Sequence, residues 1–203
     1  MAGVFSPKSC RIVSYLLLHA KTAVSQKQIV EATGVSKGLA SKVVSELVQK
    51  GLVKRPYRTR FSLEYPEKLL LDWIGKRNIG AKKAFFAKDA SVLKEVKHAH
   101  TIFSGALLDS GYLESGTTTA YVASDFRPSK GMLEGRLDSL KTKIALIPAE
   151  DEFVFYGKRR VGKEVVVNPF LLYVDLASFG GLALTALERV AEKHGFPSLK
   201  SGG

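Results

Sequence analysis

The sequence predicts an α+β protein: a small, basic, helical N-terminal domain with a two-strand appendage, followed by a mixed α/β C-terminal domain. Three observations predict it. Two short helical patterns meet at a single tight turn around Gly34. Up to Pro66 there are 11 Lys+Arg against 3 Asp+Glu, so +8 of the chain's net +12 sits in its first third. Beyond residue 80, short β-branched and aromatic runs alternate with short helical ones, the pattern of an α/β or α+β domain.

The first helix opens at Ser6-Pro7, where proline's missing N–H costs nothing. Ile12, Val13, Leu16 and Leu17 follow at helical spacing as one buried stripe. Ser25 can cap a second helix, and Gln28 three residues later completes a capping box. Gly34 closes that helix, and Ser36 caps a third almost at once. Leu39, Val43 and Leu47 repeat every four residues and should face the first stripe, which turns Lys37, Ser41 and Lys42 to other sides. Gly51 ends this helix. Leu52–Arg55 and Phe61–Leu63 read as two short strands around the basic tip Pro56–Arg60.

Residues 22–60 thus read as a winged helix-turn-helix. Two short helices joined so tightly cross steeply, and the second can then enter a DNA major groove. A basic face there attracts phosphate. Candidate DNA-binding residues are Gln26, Lys27, Ser36, Lys37, Ser41, Lys42, Lys54, Arg55, Arg58 and Arg60. Ser36 and the backbone N–H groups beside it suit phosphate, as do Gln26 and Lys27. Lys37, Ser41 and Lys42 can reach base edges or backbone, and the wing cations the adjacent backbone or minor groove.

After the wing, Tyr65-Pro66-Glu67 starts a connector helix with an apolar ridge of Leu69, Leu70, Trp73 and Ile74. Interdomain or dimer contact and simple packing are equally open for it. The expected organisation is residues 1–66 as the winged helix, 67–80 as the connector and 81–203 as the C-terminal domain. In the last part, strands are expected at Ala84–Phe86, Thr101–Phe103, Thr118–Ala123, Lys143–Ile147, Glu152–Tyr156 and Glu164–Val167. Helices are expected at Asp89–Lys97, Ser104–Asp109 and Gly131–Leu140, from Asn168-Pro169 to Phe179, and from there past Gly180-Gly181 to His194. Gly157–Arg160 reads as a hairpin tip. With Lys163, its Lys158, Arg159 and Arg160 form a secondary basic patch, by default solvated. The tail Ser201-Gly202-Gly203 reads as disordered.

Composition narrows the class further. The chain has 203 residues, 45% of them hydrophobic, which suits two small globular domains. One cysteine, Cys10, excludes an intramolecular disulfide framework and fits a reducing cytoplasm. No run approaches the ~18 apolar residues of a membrane span, and Lys8 and Arg11 interrupt any leader-like start. A cytoplasmic protein without a membrane partner is expected.

The residues do not assemble a catalytic constellation. No nucleophile elbow, P-loop or dinucleotide fingerprint is present. Among His19, His98, His100 and His194, only His98 and His100 are close, and two ligands do not close a zinc site. Ser104-Gly105 invites comparison with nucleotidyltransferases. The order of that pair is reversed, however, and Thr118–Ala123 lacks the carboxylates that magnesium requires. The expectation is no enzyme, no cofactor, no catalytic residue and no metal ligand.

Two segments of the C-terminal half carry a resemblance: Phe103-Ser104-Gly105-Ala106-Leu107-Leu108, and more firmly Val165-Val166-Val167-Asn168-Pro169-Phe170-Leu171-Leu172-Tyr173-Val174-Asp175-Leu176. With the glycine break at Gly180-Gly181 and the helix through Leu187–Lys193, the chain resembles antitoxins of the abortive-infection AbiEi type, from type IV toxin–antitoxin systems. It lacks the more usual Gly-Arg after the Tyr-x-Asp-Leu helix, and residues 117–161 match only in pattern. The resemblance implies a cytoplasmic autorepressor whose C-terminal domain supports repression or counteracts a nucleotidyltransferase-like toxin. Tyr173 and Asp175 read as packing residues, with Asp175 bonding locally.

The expected function is therefore a sequence-specific transcriptional regulator, an autorepressor of antitoxin type. Its expected partners are double-stranded DNA, a cognate toxin protein and, by analogy with repressors that read paired half-sites, a second copy of itself. The alternative is a protein-interaction module that neutralises a toxin, with DNA binding secondary.

Overall fold

Local capping chemistry sets the first helices in place. In the computed structural model, which describes residues 3–112, 116–139 and 142–199, helix α1 spans Pro7–Leu18 and α2 spans Gln26–Thr33. Ser25 and Gln28 form a reciprocal capping box at the start of α2. Gly34 ends that helix with φ +66°, a backbone shape that a side chain would strain. Helix α3 covers Lys37–Gln49, its first turn held by the Ser36 hydroxyl accepting the Leu39 N–H at 3.2 Å.

Strands β1 (Val24–Ser25), β2 (Val53–Tyr57) and β3 (Arg60–Leu63) form one antiparallel sheet in the order β1-β3-β2. The wing differs from expectation. Its strands run to Tyr57 and from Arg60, so only Arg58 and Thr59 remain at the turn. Pro56, which has no N–H to give the ladder, lies within a register shift between Lys54 and Tyr57 on this edge strand.

Helix α4 (Pro66–Ile74) follows, and most of its ridge is buried: Leu69, Leu70 and Trp73 are at most 1% exposed, whereas Ile74 is half-buried. Trp73 packs with Phe5 and Phe153, whose ring centroids are 6.5 and 6.3 Å away. The chain divides into two compact units, and the first takes in Asp151–Gly157 as well as Met1–Lys76. Residues 152–156 are therefore not a strand. Glu152–Phe155 form a 3-10 helix that packs on α1, burying Phe153, Val154 and Phe155. Asp151 fixes its start by accepting the Phe153 N–H and a two-pronged bond from Arg11, at 2.6 and 2.8 Å.

The second unit comprises Arg77–Glu150 and Lys158–Gly203. Its described strands are β4 (Lys83–Ala87), β5 (His98–His100), β6 (Thr118–Val122), β7 (Leu133–Arg136), β8 (Ile144–Pro148), β9 (Arg159–Val161) and β10 (Glu164–Val166). They form a mixed sheet in the order β7-β4-β8-β6-β5-β10-β9. Helices α5 (Ile102–Ser110), α6 (Pro169–Phe179) and α7 (Ala183–His194) pack on one another, and α5 also lies on β6. Side chains alternate across a sheet, so residues such as Phe85, Val122, Ile144 and Leu146 build a second core with Leu93 and the flanking Val92 and Phe126. The fold is α+β, a winged-helix region followed by a mixed α/β region with a large sheet.

Three further expectations are corrected. Thr101–Phe103 is not a strand: the strand is His98–His100, and the chain turns at Thr101 into α5. Ile102, fully buried, holds φ +45°, a strained shape for a β-branched residue, in that turn. Gly105 is required just beyond it, because a Cβ there would meet Leu172 Cδ1 at 2.9 Å and the His100 carbonyl at 3.2 Å. Residues 131–139 are not helical. Leu133–Arg136 pair with β4 instead, while Leu140 lies outside the described residues. The hairpin tip is Gly162-Lys163, between β9 and β10, and not Gly157–Arg160. The tail 201–203 also lies outside the described residues.

Candidate nucleic-acid interface

Helix α3 has two faces. Ala40, Val43, Val44 and Leu47 are buried with Leu39 at the margin, whereas Lys37, Gly38, Ser41, Lys42 and Ser45 are exposed. The apolar repeat thus anchors the helix and turns its polar side outward. The ammonium groups of Lys37 and Lys42 have no ion pair or hydrogen bond among the described residues, and their charge is available to an external anion. Ser45 is not among the sequence candidates, although the four-residue step from Ser41 points to it.

The other candidates are committed to the fold to differing degrees. The Gln26 side-chain amide donates to the Lys37 carbonyl at 3.0 Å, tying the starts of α2 and α3 together. Lys27 stands 3.7 Å from Glu31 in an exposed one-turn pair. Ser36 spends its oxygen on the cap. Lys54 is bonded to Glu64 at 2.8 Å. Hydrogen bonds from Lys54 and Ser62 hold the Glu64 carboxyl below its usual range, and the same pair raises Lys54. Arg55 lies over the Phe61 ring at 5.1 Å, a cation–π contact. Arg60 donates to the Ala23 carbonyl at 3.0 Å and so fastens β3 to the chain before β1. Arg58, at the turn, is exposed and has no partner among the described residues. Beside it Tyr57 is 71% exposed, an aromatic that charge counting overlooks.

The secondary patch splits in the same way. Arg159 is bound to the buried Asp109 at 2.6 Å, whereas Arg160 and Lys163 are exposed, as is Lys158. Asp109 also accepts from His194 at 2.9 Å. Burial pushes its carboxyl up, but the bonds and charges of His194 and Arg159 outweigh that and bring it to about 2. A depressed carboxyl stabilises the fold above its ordinary range and loses that contribution as pH falls through its folded value. Urea unfolding should therefore show a loss of about 2 kcal/mol between pH 5 and pH 2 that Asp109→Asn does not share. Equal losses in both proteins would count against the pair.

A helical core, an exposed polar face on its third helix and a two-stranded basic wing define a winged-helix DNA-binding module. Residues 5–59 match the model of the MarR family, a span that runs from α1 to the wing turn. The match supports a DNA-binding transcriptional regulator. No curated protein and no solved structure matches the chain significantly. Among the described residues, no helix is long and apolar enough to cross a membrane.

Proposed function

We propose that this protein is a sequence-specific repressor of its own promoter, of antitoxin type, which inserts α3 into the major groove and lays its wing on the adjacent backbone. The observation that carries the reading is the basic set of Lys37 and Lys42 on α3 and Arg58 on the wing, whose charges are unpaired among the described residues, on a unit whose other candidate cations are largely engaged internally. Unpaired cations release counterions from DNA without first breaking a bond inside the protein. Ser41 and Ser45 add short donors on the same helix, suited to base edges or phosphate.

The antitoxin assignment rests on the likeness of residues 165–176 to that family. Asn168 caps α6 there by accepting the Leu171 N–H at 2.9 Å. Tyr173 and Asp175 are both fully buried, so they build the unit and are not offered to a partner. A toxin would have to meet other residues of the C-terminal unit.

A reporter gene placed behind the protein's own upstream DNA tests the proposal. Expression of the protein should lower reporter output several-fold, and a shuffled upstream sequence should remove the effect. Unchanged output, with a neighbouring gene product co-purifying, would replace autorepression by toxin neutralisation as the primary role.

A further inference from the structure

Glu164 completes the pair of histidines that the sequence leaves open. Strands β5 and β10 are parallel neighbours with Val166 opposite His100, which brings Glu164 level with His98. The two-residue alternation of strands puts His98, His100 and Glu164 on one face. Their ligand atoms lie within 4.8 Å of one another.

Hydrogen-bond accounting shows what these atoms offer. His98 Nδ1 is 3.0 Å from the Val96 carbonyl, which can only accept, so in the neutral ring Nδ1 carries the proton and Nε2 presents a lone pair. That Nε2 is buried and has no hydrogen-bond partner, with Glu164 Oε2 3.8 Å away. Ser104 Oγ donates its one proton to the Thr119 carbonyl at 2.8 Å and accepts the Thr119 N–H at 3.0 Å. Towards His100 Nδ1, at 3.0 Å, it can therefore only accept. His100 Nε2 is then also a lone pair, aimed at Glu164 Oε2 across 3.1 Å. A proton on His100 Nε2 would satisfy that contact but leave His98 Nε2 with nothing. A divalent cation satisfies all three atoms at once.

We propose that His98 Nε2, His100 Nε2 and the Glu164 carboxylate form a binding site for a divalent transition-metal ion of the zinc class, which clasps β10 to β5. Two imidazoles and one carboxylate suit zinc and its neighbours, and are a poor set for calcium or magnesium, which favour oxygen. Tetrahedral coordination with bonds of about 2 Å needs donors roughly 3.4 Å apart, so the cluster must tighten slightly. Glu164, 47% exposed, is free to swing inward, and its exposure also provides the entry path and an open position for water. The Val96 carbonyl and Ser104 hydroxyl already hold the two rings in the metal-binding tautomer, the usual task of groups behind metal ligands.

The test uses the full chain without an affinity tag, stripped of metal and titrated with Zn²⁺ against a chromophoric chelator, with Co²⁺ as a spectroscopic probe. One equivalent should bind with a Kd of about 1 µM or tighter, and Co²⁺ should develop the visible bands of a four-coordinate ion. His98→Ala and Glu164→Gln should each weaken Zn²⁺ by at least about tenfold, while His19→Ala, in the other unit, should leave it unchanged. Far-UV circular dichroism checks folding, and Glu164→Gln is a conservative change at a half-exposed position. Affinity no tighter than about 100 µM, or equal affinity in Glu164→Gln and the wild type, would overturn the site.

Discussion

Asp175→Ala is expected to destabilise the protein by about 3–5 kcal/mol, the cost of breaking a buried ion pair from one side. Asp175 is fully buried. One oxygen accepts from Arg77 Nε at 2.5 Å, and the other accepts the Thr101 hydroxyl at 2.7 Å and the Tyr121 phenol at 2.8 Å. Burial raises the Tyr121 hydroxyl well above the usual phenol range, so it stays protonated and keeps donating. Thr101 in turn accepts the Thr119 hydroxyl and the Gly105 N–H on its carbonyl, which clamps the strained turn at Ile102. Removing the carboxylate therefore frees a buried cation from its charge partner and loosens the β5–α5 turn together. Asp175→Asn should cost less, because it preserves the shape and acceptors but not the charge. Urea unfolding followed by far-UV circular dichroism measures both. A loss below about 1 kcal/mol for the alanine variant would contradict the account.

The second large effect concerns function. Lys37→Ala and Lys42→Ala should each change stability by no more than about 0.5 kcal/mol, since both side chains are exposed and unpaired. Together they should lower affinity for the cognate DNA by about 10- to 100-fold, as expected for one phosphate and one base-edge contact. Arg58→Ala should instead weaken all duplexes alike and lower the salt slope by about one unit. Lys54→Ala should do less than either, because its ammonium is already bonded to Glu64. If Lys54→Ala cost more affinity than the double variant, the wing and not α3 would be the principal reader.

These expectations also show which parts of the molecule are legible in sequence. The Ser25–Gln28 box, Gly34 and the Ser36 cap act within four residues, so α2 and α3 are readable directly. Asn168-Pro169 and Gly195 mark the ends of α6 and α7 in the same local way. What depends on distant partners is not readable. The apolar run Phe153–Phe155 looks like a strand until α1, some 140 residues earlier, is seen to bury it. Leu133–Arg136 becomes a strand because β4 pairs with it. The Asp175 carboxylate bonds to Arg77, Thr101 and Tyr121 and not locally. The sequence identifies the wing cations, but not that Glu64 and the Ala23 carbonyl engage two of them. Glu164 lies 64 residues from His100, beyond any motif spacing.

If this winged helix reads DNA sequence, a direct binding comparison will show it. Fluorescence anisotropy should compare the duplex immediately upstream of the protein's gene with a shuffled duplex of the same composition, at several salt concentrations. The account predicts a preference for the native duplex that persists at about 200 mM salt, where phosphate attraction alone has largely faded. Equal binding to both duplexes, erased together by salt, would contradict it and leave only a non-specific basic module.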